Sequence, residues 1–226
     1  MEQGRGDARY ALFWAPDPAS HLWRWACRWL GRDPSNDATY VCEPALEDAV
    51  RTPRWYGFHA TLKSPFRIRQ DKDPQAFMAA VEEFATARQA FTAPPLELVE
   101  HRGFLSLVLS GPCPRMDRLA ADCVKEFDSY RELPEEPELA KRRADGLDPI
   151  EEANLRAWGY PYVLDRFRFH LTLTGKLQDS AALKARLQSD TAAFCREPLR
   201  VDALAVFAQP GTDAPFRMTA RFPFKG

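Results

Sequence analysis

The sequence predicts an α+β protein in which two antiparallel sheets enclose a groove and the helices lie outside. Two observations lead to this prediction. A Phe-His-x-Thr-Leu pattern occurs twice, at 58–62 and at 169–173, about half of the 226-residue chain apart. The order of strands and helices around the first copy is approximately repeated around the second. We therefore expect a duplicated two-lobe fold, with lobe one at roughly 1–110, lobe two at roughly 111–226, and a pseudo-twofold groove between them.

The first half begins with an apolar run that is typical of a strand, followed by apolar residues at helical spacing. Ser20 or Asp17 can cap this helix, and Gly31 can end it. The expected elements are a strand at 9–15, a helix up to 30, an irregular connection at 32–54 with one short helix at 44–51, and a first signature strand at 56–63 that ends at Ser64-Pro65.

The rest of the chain alternates in the same way. Proline and glycine mark the predicted ends of elements. We expect a helix opened by Asp73-Pro74, a break at Pro94-Pro95, a hairpin of 96–100 and 104–109, a helix ending near Phe127, a charged helical hairpin at roughly 131–157 broken near Asp148-Pro149, a second signature strand at 165–174, a helix at roughly 179–194, and strands at 199–207 and 216–224.

Composition limits the class of protein. The formal net charge is −1, which predicts no general attraction to nucleic acid or to anionic membranes. The first seven residues lack the pattern of a signal peptide, and no apolar run approaches the ~18 residues of a membrane helix. The five cysteines are odd in number and form no C-x-x-C pair, so we expect free thiols in a cytoplasmic protein rather than a zinc site or disulfides.

Each signature strand places a histidine and a threonine on one side. With a period of two, Phe58, Ala60 and Leu62 face the core, whereas His59, Thr61 and Lys63 face the other way. In the second strand the buried side is Phe167, Phe169, Leu171 and Leu173, and the polar side is Arg166, Arg168, His170, Thr172 and Thr174.

A histidine and a threonine two residues apart lie roughly 6.5–7 Å from each other along a strand. An imidazole can give or take a proton near neutral pH, and a hydroxyl can donate a hydrogen bond to an anionic oxygen. Two such pairs across a groove suit in-line displacement at phosphorus, in which one histidine is the base and the other the acid. Lys63 and Arg168 could then neutralise the phosphate charge.

Not every polar residue in these regions needs a role. A single histidine on a strand is most often structural, and His21 and His101 are assigned no function. Tyr56 lies close enough to His59 to be a candidate for substrate binding. The charged hairpin is either a solvated helical face or a lid that places Arg142 or Arg143, together with Tyr160 and Tyr162, over the groove.

The paired H-x-T motifs resemble those of the two-histidine (2H) phosphoesterase superfamily, which includes RNA ligase-like cyclic phosphodiesterases. The flanking runs at 54–63 and 158–175 resemble one branch of it, a family of unknown function linked to phosphonate metabolism. The likeness extends from Tyr10–Phe13 to Ala214–Arg217, nearly the whole chain.

This resemblance implies a metal-independent enzyme without a cofactor that opens a 2′,3′- or 1,2-type cyclic phosphate on a sugar. His59 and His170 would be catalytic, and Thr61 and Thr172 would bind the phosphate. The implied substrate is a small phosphorylated sugar or nucleotide, or an RNA end.

Two other classes of function remain open. A non-catalytic nucleotide- or RNA-binding module on the same fold would need the groove but not two titrating histidines. A metal-dependent phosphohydrolase would need further ligands, in patterns such as H-x-x-x-H or H-x-E, and neither signature strand contains one. The sequence does not distinguish hydrolysis from ligation, nor the oligomeric state.

Overall fold

The computed structural model describes residues 8–144 and 146–226. Within these ranges the named strands form two four-stranded sheets in which all neighbours are antiparallel. The strands are β1 (Arg9–Trp14), β2 (Ala60–Arg67), β3 (Phe91–His101), β4 (Phe104–Leu109), β5 (Leu171–Thr172), β6 (Pro198–Val201), β7 (Ala203–Gln209) and β8 (Arg217–Pro223). The helices are α1 (His21–Leu30), α2 (Glu47–Tyr56), α3 (Pro74–Thr86), α4 (Pro114–Glu126), α5 (Glu136–Arg143), α6 (Pro149–Trp158) and α7 (Ala181–Thr191). The predicted α+β class with antiparallel sheets is confirmed.

The order of strands is β2-β1-β7-β8 in sheet one and β5-β4-β3-β6 in sheet two. Each sheet thus takes two strands from the first 110 residues and two from the remainder, so the predicted lobe boundary does not separate the sheets. The predicted strand at 199–207 is in fact β6 and β7, which belong to different sheets. At Asp202, between them, the extended chain passes from sheet two to sheet one.

Most helix limits agree with the sequence. The Ser20 hydroxyl accepts from the Trp23 amide at 3.1 Å and Gly31 ends α1 with φ 79°, a left-handed conformation that favours glycine. The charged hairpin is broken where expected, since Asp148 and Glu151 form a reciprocal capping box at the start of α6.

Three further elements differ from the prediction. Helix α2 is longer than expected and runs through Pro53 to Tyr56, so Tyr56 ends a helix instead of starting a strand. Strand β3 continues through Pro94-Pro95, where its partner changes from β6 to β4. A proline has no amide N–H to donate to a neighbouring strand. The two prolines are tolerated here because the partner strand changes and the register shifts at this point.

The third difference is the second signature strand. Only Leu171 and Thr172 pair as β5, and 164–166 form a 3-10 turn. Two backbone carbonyls in this stretch, those of Phe167 and Arg168, are instead bound by side chains. The predicted alternation nevertheless holds for its apolar members, since Phe167, Phe169, Leu171 and Leu173 are all buried.

The apolar core has two parts. A large cluster extends over both sheets and most helices. A smaller cluster, which we call the sheet-one wall, lies on the opposite face of β1 and β7. Its members are Ala11, Phe13, Ala15, Trp23, Cys27, Ala205, Phe207 and Phe216. No helix in the described part of the chain is long and apolar enough to cross a membrane.

Candidate active site

The two predicted histidines lie at matching places in the two sheets. His59 immediately precedes β2, an edge strand of sheet one, and His170 immediately precedes β5, an edge strand of sheet two. They are near enough that the charge of His170 contributes to lowering the pKa of His59. The two residues, half a chain apart in the sequence, thus interact electrostatically in the folded protein.

Each imidazole is fixed by the same local hydrogen bond. Nδ1 of His59 lies 2.9 Å from the Gly57 carbonyl oxygen, and Nδ1 of His170 lies 2.8 Å from the Arg168 carbonyl oxygen. A carbonyl can only accept, so Nδ1 must carry the proton in both rings. The Nε2 atom of each ring is then the one that can take up or release a proton.

The two rings differ in their surroundings. His59 is half-buried and stacks on Phe13 of the sheet-one wall, with ring centroids 3.6 Å apart and an interplanar angle of 19°. Burial lowers the pKa of His59 to about 4, the hydrogen bond to Gly57 opposes this shift, and His170 adds to it. His59 is therefore neutral at pH 7, whereas His170 is exposed to solvent.

The two threonines are partly exposed, but only one contacts its histidine directly. The hydroxyl oxygen of Thr61 lies 3.1 Å from Nε2 of His59 and can donate to it while the ring is neutral. Thr172 lies on β5, paired with Ser106 of β4. Thr174, which the alternation placed on the polar side, is fully buried and accepts from the Leu105 amide, so its role is structural.

Lys63 does not face the histidines, and the prediction that it does is wrong. In the β1–β2 pairing Phe13 lies opposite Thr61 but Leu12 lies opposite Lys63, so one extra residue of β2 is accommodated between them. This bulge turns Lys63 to the core face. It is 3% exposed, and its Nζ donates to the Val124 carbonyl at 3.0 Å and to Asp128 at 3.2 Å.

Arg168 is exposed, as a phosphate ligand would be, but its hydrogen bonds are local. Its Nη1 donates to the carbonyl oxygens of Phe167 at 2.6 Å and Asp165 at 3.1 Å. These bonds hold the guanidinium against the turn that precedes His170.

Aromatic residues line the approach to His59. Tyr56 stacks on Phe216 of the wall with centroids 5.2 Å apart, and its ring lies 6.3 Å from that of His59. Tyr160, which follows α6, packs edge-on against the exposed Tyr162 at 5.6 Å and beneath Arg142 at 5.0 Å. Burial raises the pKa of Tyr160, and Tyr56 is the smallest of the contributors to this shift.

Sequence reasoning missed the aromatic residues that pack against the imidazole of His59. Phe13 and Phe207 come from β1 and β7, and Phe207 lies 6.1 Å from the His59 ring. Both lie in segments predicted as strands, but that prediction could not show which ring would lie under a histidine.

These features define an α+β protein with a pair of histidine motifs on the edges of two antiparallel sheets. The chain belongs to the family described as "Protein of unknown function (DUF1045)", whose model matches residues 61–217. The matched region starts at Thr61 and includes the whole second motif.

Two curated relatives carry the name "Ribose 1,5-bisphosphate phosphokinase PhnN". The protein from Janthinobacterium sp. (strain Marseille) is 35% identical over 231 residues, covering 96% of this chain and 51% of its own length. That from Laribacter hongkongensis (strain HLHK9) is 31% identical over 220 residues, covering 93% and 50%. The chain spans about half the length of the curated relatives it matches.

Among solved structures, Kluyveromyces marxianus Usb1 aligns over 93% of this chain and 97% of its own, with 14% identity and a TM-score of 0.39. Its structure with uridine monophosphate aligns over 94% and 98%, with 12% identity and a TM-score of 0.31. Similarity at this level supports no conclusion about the site.

Proposed function

We propose that this protein is a metal-independent cyclic phosphodiesterase of the two-histidine type that opens a cyclic phosphate on a sugar. One observation carries the proposal. Both histidines are fixed through Nδ1 by a backbone carbonyl, so each presents Nε2, each directly precedes an edge strand, and the charge of His170 acts on His59. A module that only binds nucleotides has no need for two imidazoles prepared in this way.

The reaction assigns one proton transfer to each ring. Neutral His59 takes a proton from water through Nε2 as the water oxygen attacks phosphorus. The ring P–O bond breaks on the opposite side, and protonated His170 gives its proton to the departing sugar oxygen. One water molecule is consumed, and the two histidines exchange protons with solvent before the next turnover. Thr61 and Thr172 donate hydrogen bonds to the non-bridging oxygens.

The proposed substrate class is a phosphoribosyl compound or a nucleotide with a cyclic phosphate. The curated relatives are named for a ribose bisphosphate, which supports a phosphorylated ribose. The resemblance to a phosphonate-metabolism family points to the same class. Among residues 8–144 and 146–226 no cluster of three or more His, Cys, Asp or Glu side chains could hold a metal ion, and the mechanism assigns no step to one.

A screen of cyclic phosphates tests the function. The panel would hold cyclic-phosphate mononucleotides, oligoribonucleotides ending in a 2′,3′-cyclic phosphate, and ribose 1,2-cyclic phosphates, followed by phosphorus NMR with and without EDTA. We expect conversion of at least one cyclic ester to a monoester at an unchanged rate in EDTA. Binding without turnover would favour the binding module, and loss of turnover in EDTA that one metal restores would favour the metal-dependent hydrolase.

The asymmetry of the two rings predicts the pH dependence. Because the pKa of His59 is lowered to about 4, the acidic limb of the kcat/KM profile should fall near that value, well below the usual range for histidine. Rates across pH 3–10 test this, with His170→Ala expected to leave the acidic limb in place. An acidic limb near pH 6.5 would contradict the assignment of His59 as a buried base.

The threonine hydroxyls should contribute to both affinity and rate. Thr61→Val and Thr172→Val keep the side-chain shape but remove a donor to a charged oxygen, so each should lower kcat/KM by about 10- to 150-fold, equivalent to ~1.5–3 kcal/mol. Steady-state kinetics on the best substrate of the panel measure the loss. Thr92→Val, on the exposed side of β3, is the matched control and should leave the kinetics unchanged. If all three variants behave alike, the hydroxyls do not bind the phosphate.

A further inference from the structure

A cleft that contains three arginines lies at the end of β2 that is far from His59. Its volume is about 330 Å³, the open mouth included. Three of the ten residues that line it are arginines. The ten are Arg9, Ser64, Pro65, Phe66, Arg67, Arg131, Glu132, Pro134, Glu138 and Gly159. None of these residues has a part in the two-histidine chemistry.

This cleft is on the same face of sheet one as His59. Arg9 and Phe13 are four residues apart on β1 and therefore share a face, about 13 Å apart along the strand. Arg67 lies opposite Arg9 in the β1–β2 pairing, just as Thr61 lies opposite Phe13. The cleft and the histidine site thus lie at the two ends of one face of sheet one, with the buried sheet-one wall between them.

The side chain of Arg9 also reaches the wall that supports His59. Its guanidinium carbon lies 5.5 Å from the centre of the Phe216 ring, and Phe216 stacks on Tyr56. A ligand held by Arg9 would therefore adjoin the aromatic approach to His59.

The three arginines differ in what already binds them. Arg67 is paired with Glu132 at 3.2 Å and Glu138 at 3.5 Å, so its charge is largely compensated. Arg9 donates to the side-chain carbonyl of Gln209 and forms no ion pair with a carboxylate among the described residues.

Arg131 provides the second observation, a buried donor without a partner. The residue is 7% exposed, with Nε and Nη2 bound to Asp128 and Nη2 also to the Ala157 carbonyl. Its Nη1 is buried beside Gly159 and has no hydrogen-bond partner among the described residues, and both Arg131 and Gly159 line the cleft. A buried donor left unpaired is costly, and an anionic oxygen in the cleft would satisfy it.

We propose that this cleft binds a second phosphate, a monoester on the same sugar that carries the cyclic phosphate at the histidines. This inference rests on the proposed function and narrows its substrate class. Arginine is well suited to hold phosphate, because its planar fork can donate two hydrogen bonds to one group. The small volume and the carboxylates of Glu132 and Glu138 favour a compact monoester over an extended RNA chain.

Two pairs of substrates that differ only in this phosphate test the proposal. They are ribose 1,2-cyclic phosphate with and without a 5-phosphate, and adenosine 2′,3′-cyclic phosphate with and without a 5′-phosphate. The wild type should prefer the phosphorylated member of at least one pair. Arg9→Met should lower kcat/KM for that member by about 10- to 100-fold, and for its unphosphorylated partner by far less.

Two further variants control for folding and for charge. Arg9→Lys keeps the positive charge and should retain part of the preference. Arg24→Met removes an exposed arginine on α1. This variant should prefer the phosphorylated substrate as strongly as the wild type does. An equal loss for both members of each pair in Arg9→Met, or no preference in the wild type, would overturn the proposal.

A binding experiment separates this proposal from the proposed function. Calorimetry with ribose 5-phosphate, which has no cyclic ester, should show binding to the wild type and to His59→Ala but at least tenfold weaker binding to Arg9→Met. If no cyclic phosphate is turned over but this pattern holds, the subsite stands and the enzyme function fails. If turnover occurs but ribose 5-phosphate binds wild type and Arg9→Met equally, the subsite fails alone.

Discussion

Replacing either His59 or His170 with alanine should lower kcat for a cyclic phosphate by about 10²–10⁴-fold, because each variant loses one of the two proton transfers. The substrate should still bind, since Thr61 and Thr172 are retained. Single-turnover rates and the dissociation constant, measured on the same preparations, separate the two effects. The double variant should lose little more than the worse single variant, since both residues serve one step.

The chain offers matched controls for these variants. His21 on α1 and His101 at the end of β3 are exposed and lie outside both motifs. His21→Ala and His101→Ala should leave kcat at the wild-type value. If His59→Ala and His170→Ala turn the substrate over as fast as these controls do, the enzyme function is wrong and the strands belong to another kind of site.

Lys63→Met should change how stability depends on pH. Burial lowers the pKa of Lys63 from its ordinary 10.5 to about 8, although Asp128 opposes the shift. Between these values the unfolded chain holds a proton that the native protein has lost, so the free energy of unfolding of the wild type should rise with pH by about 3 kcal/mol. The methionine variant has no such titration, so its free energy of unfolding relative to that of the wild type should fall by the same amount between pH 8 and 10.5.

Denaturant unfolding at several pH values between 7 and 10.5 measures this difference. The free energy of unfolding of Lys63→Met minus that of the wild type should decrease steadily above pH 8. Lys125→Met, which replaces an exposed lysine on α4, is the matched control. Its free energy of unfolding should differ from that of the wild type by the same amount at every pH in this range. A flat difference for Lys63→Met as well would mean that Lys63 stays charged and well solvated in the native state.

Local patterns were sufficient for much of the fold. The cap at Ser20 and the break at Asp148-Pro149 depend on neighbouring residues only, and both were predicted from the sequence. The buried alternation from Phe167 to Leu173 was also visible, even though little of it pairs as a strand. The repeated His-x-Thr pattern predicted that two distant histidines would belong to one site.

What could not be predicted depends on pairing between distant segments. The bulge that turns Lys63 inward exists only in register with β1, and a strict period of two cannot show it. The passage of the chain from sheet two to sheet one at Asp202 likewise depends on which strands pair in the folded protein. The ring of Phe13 beneath His59, and the gathering of Arg9 and Arg131 in one cleft, follow from those pairings.

The acceptors that orient the two histidines belong to the main chain, and this affects how the site tolerates mutation. Since the Arg168 carbonyl is present whatever the side chain, position 168 can drift in evolution without changing which nitrogen of His170 is protonated. Gly57 has no such freedom. Its φ is 79°, and a Cβ there would come within 2.6 Å of Pro34. Natural variants of this active site should therefore accumulate on the His170 side, while the His59 side is held by a glycine that no other residue can replace without rebuilding the turn.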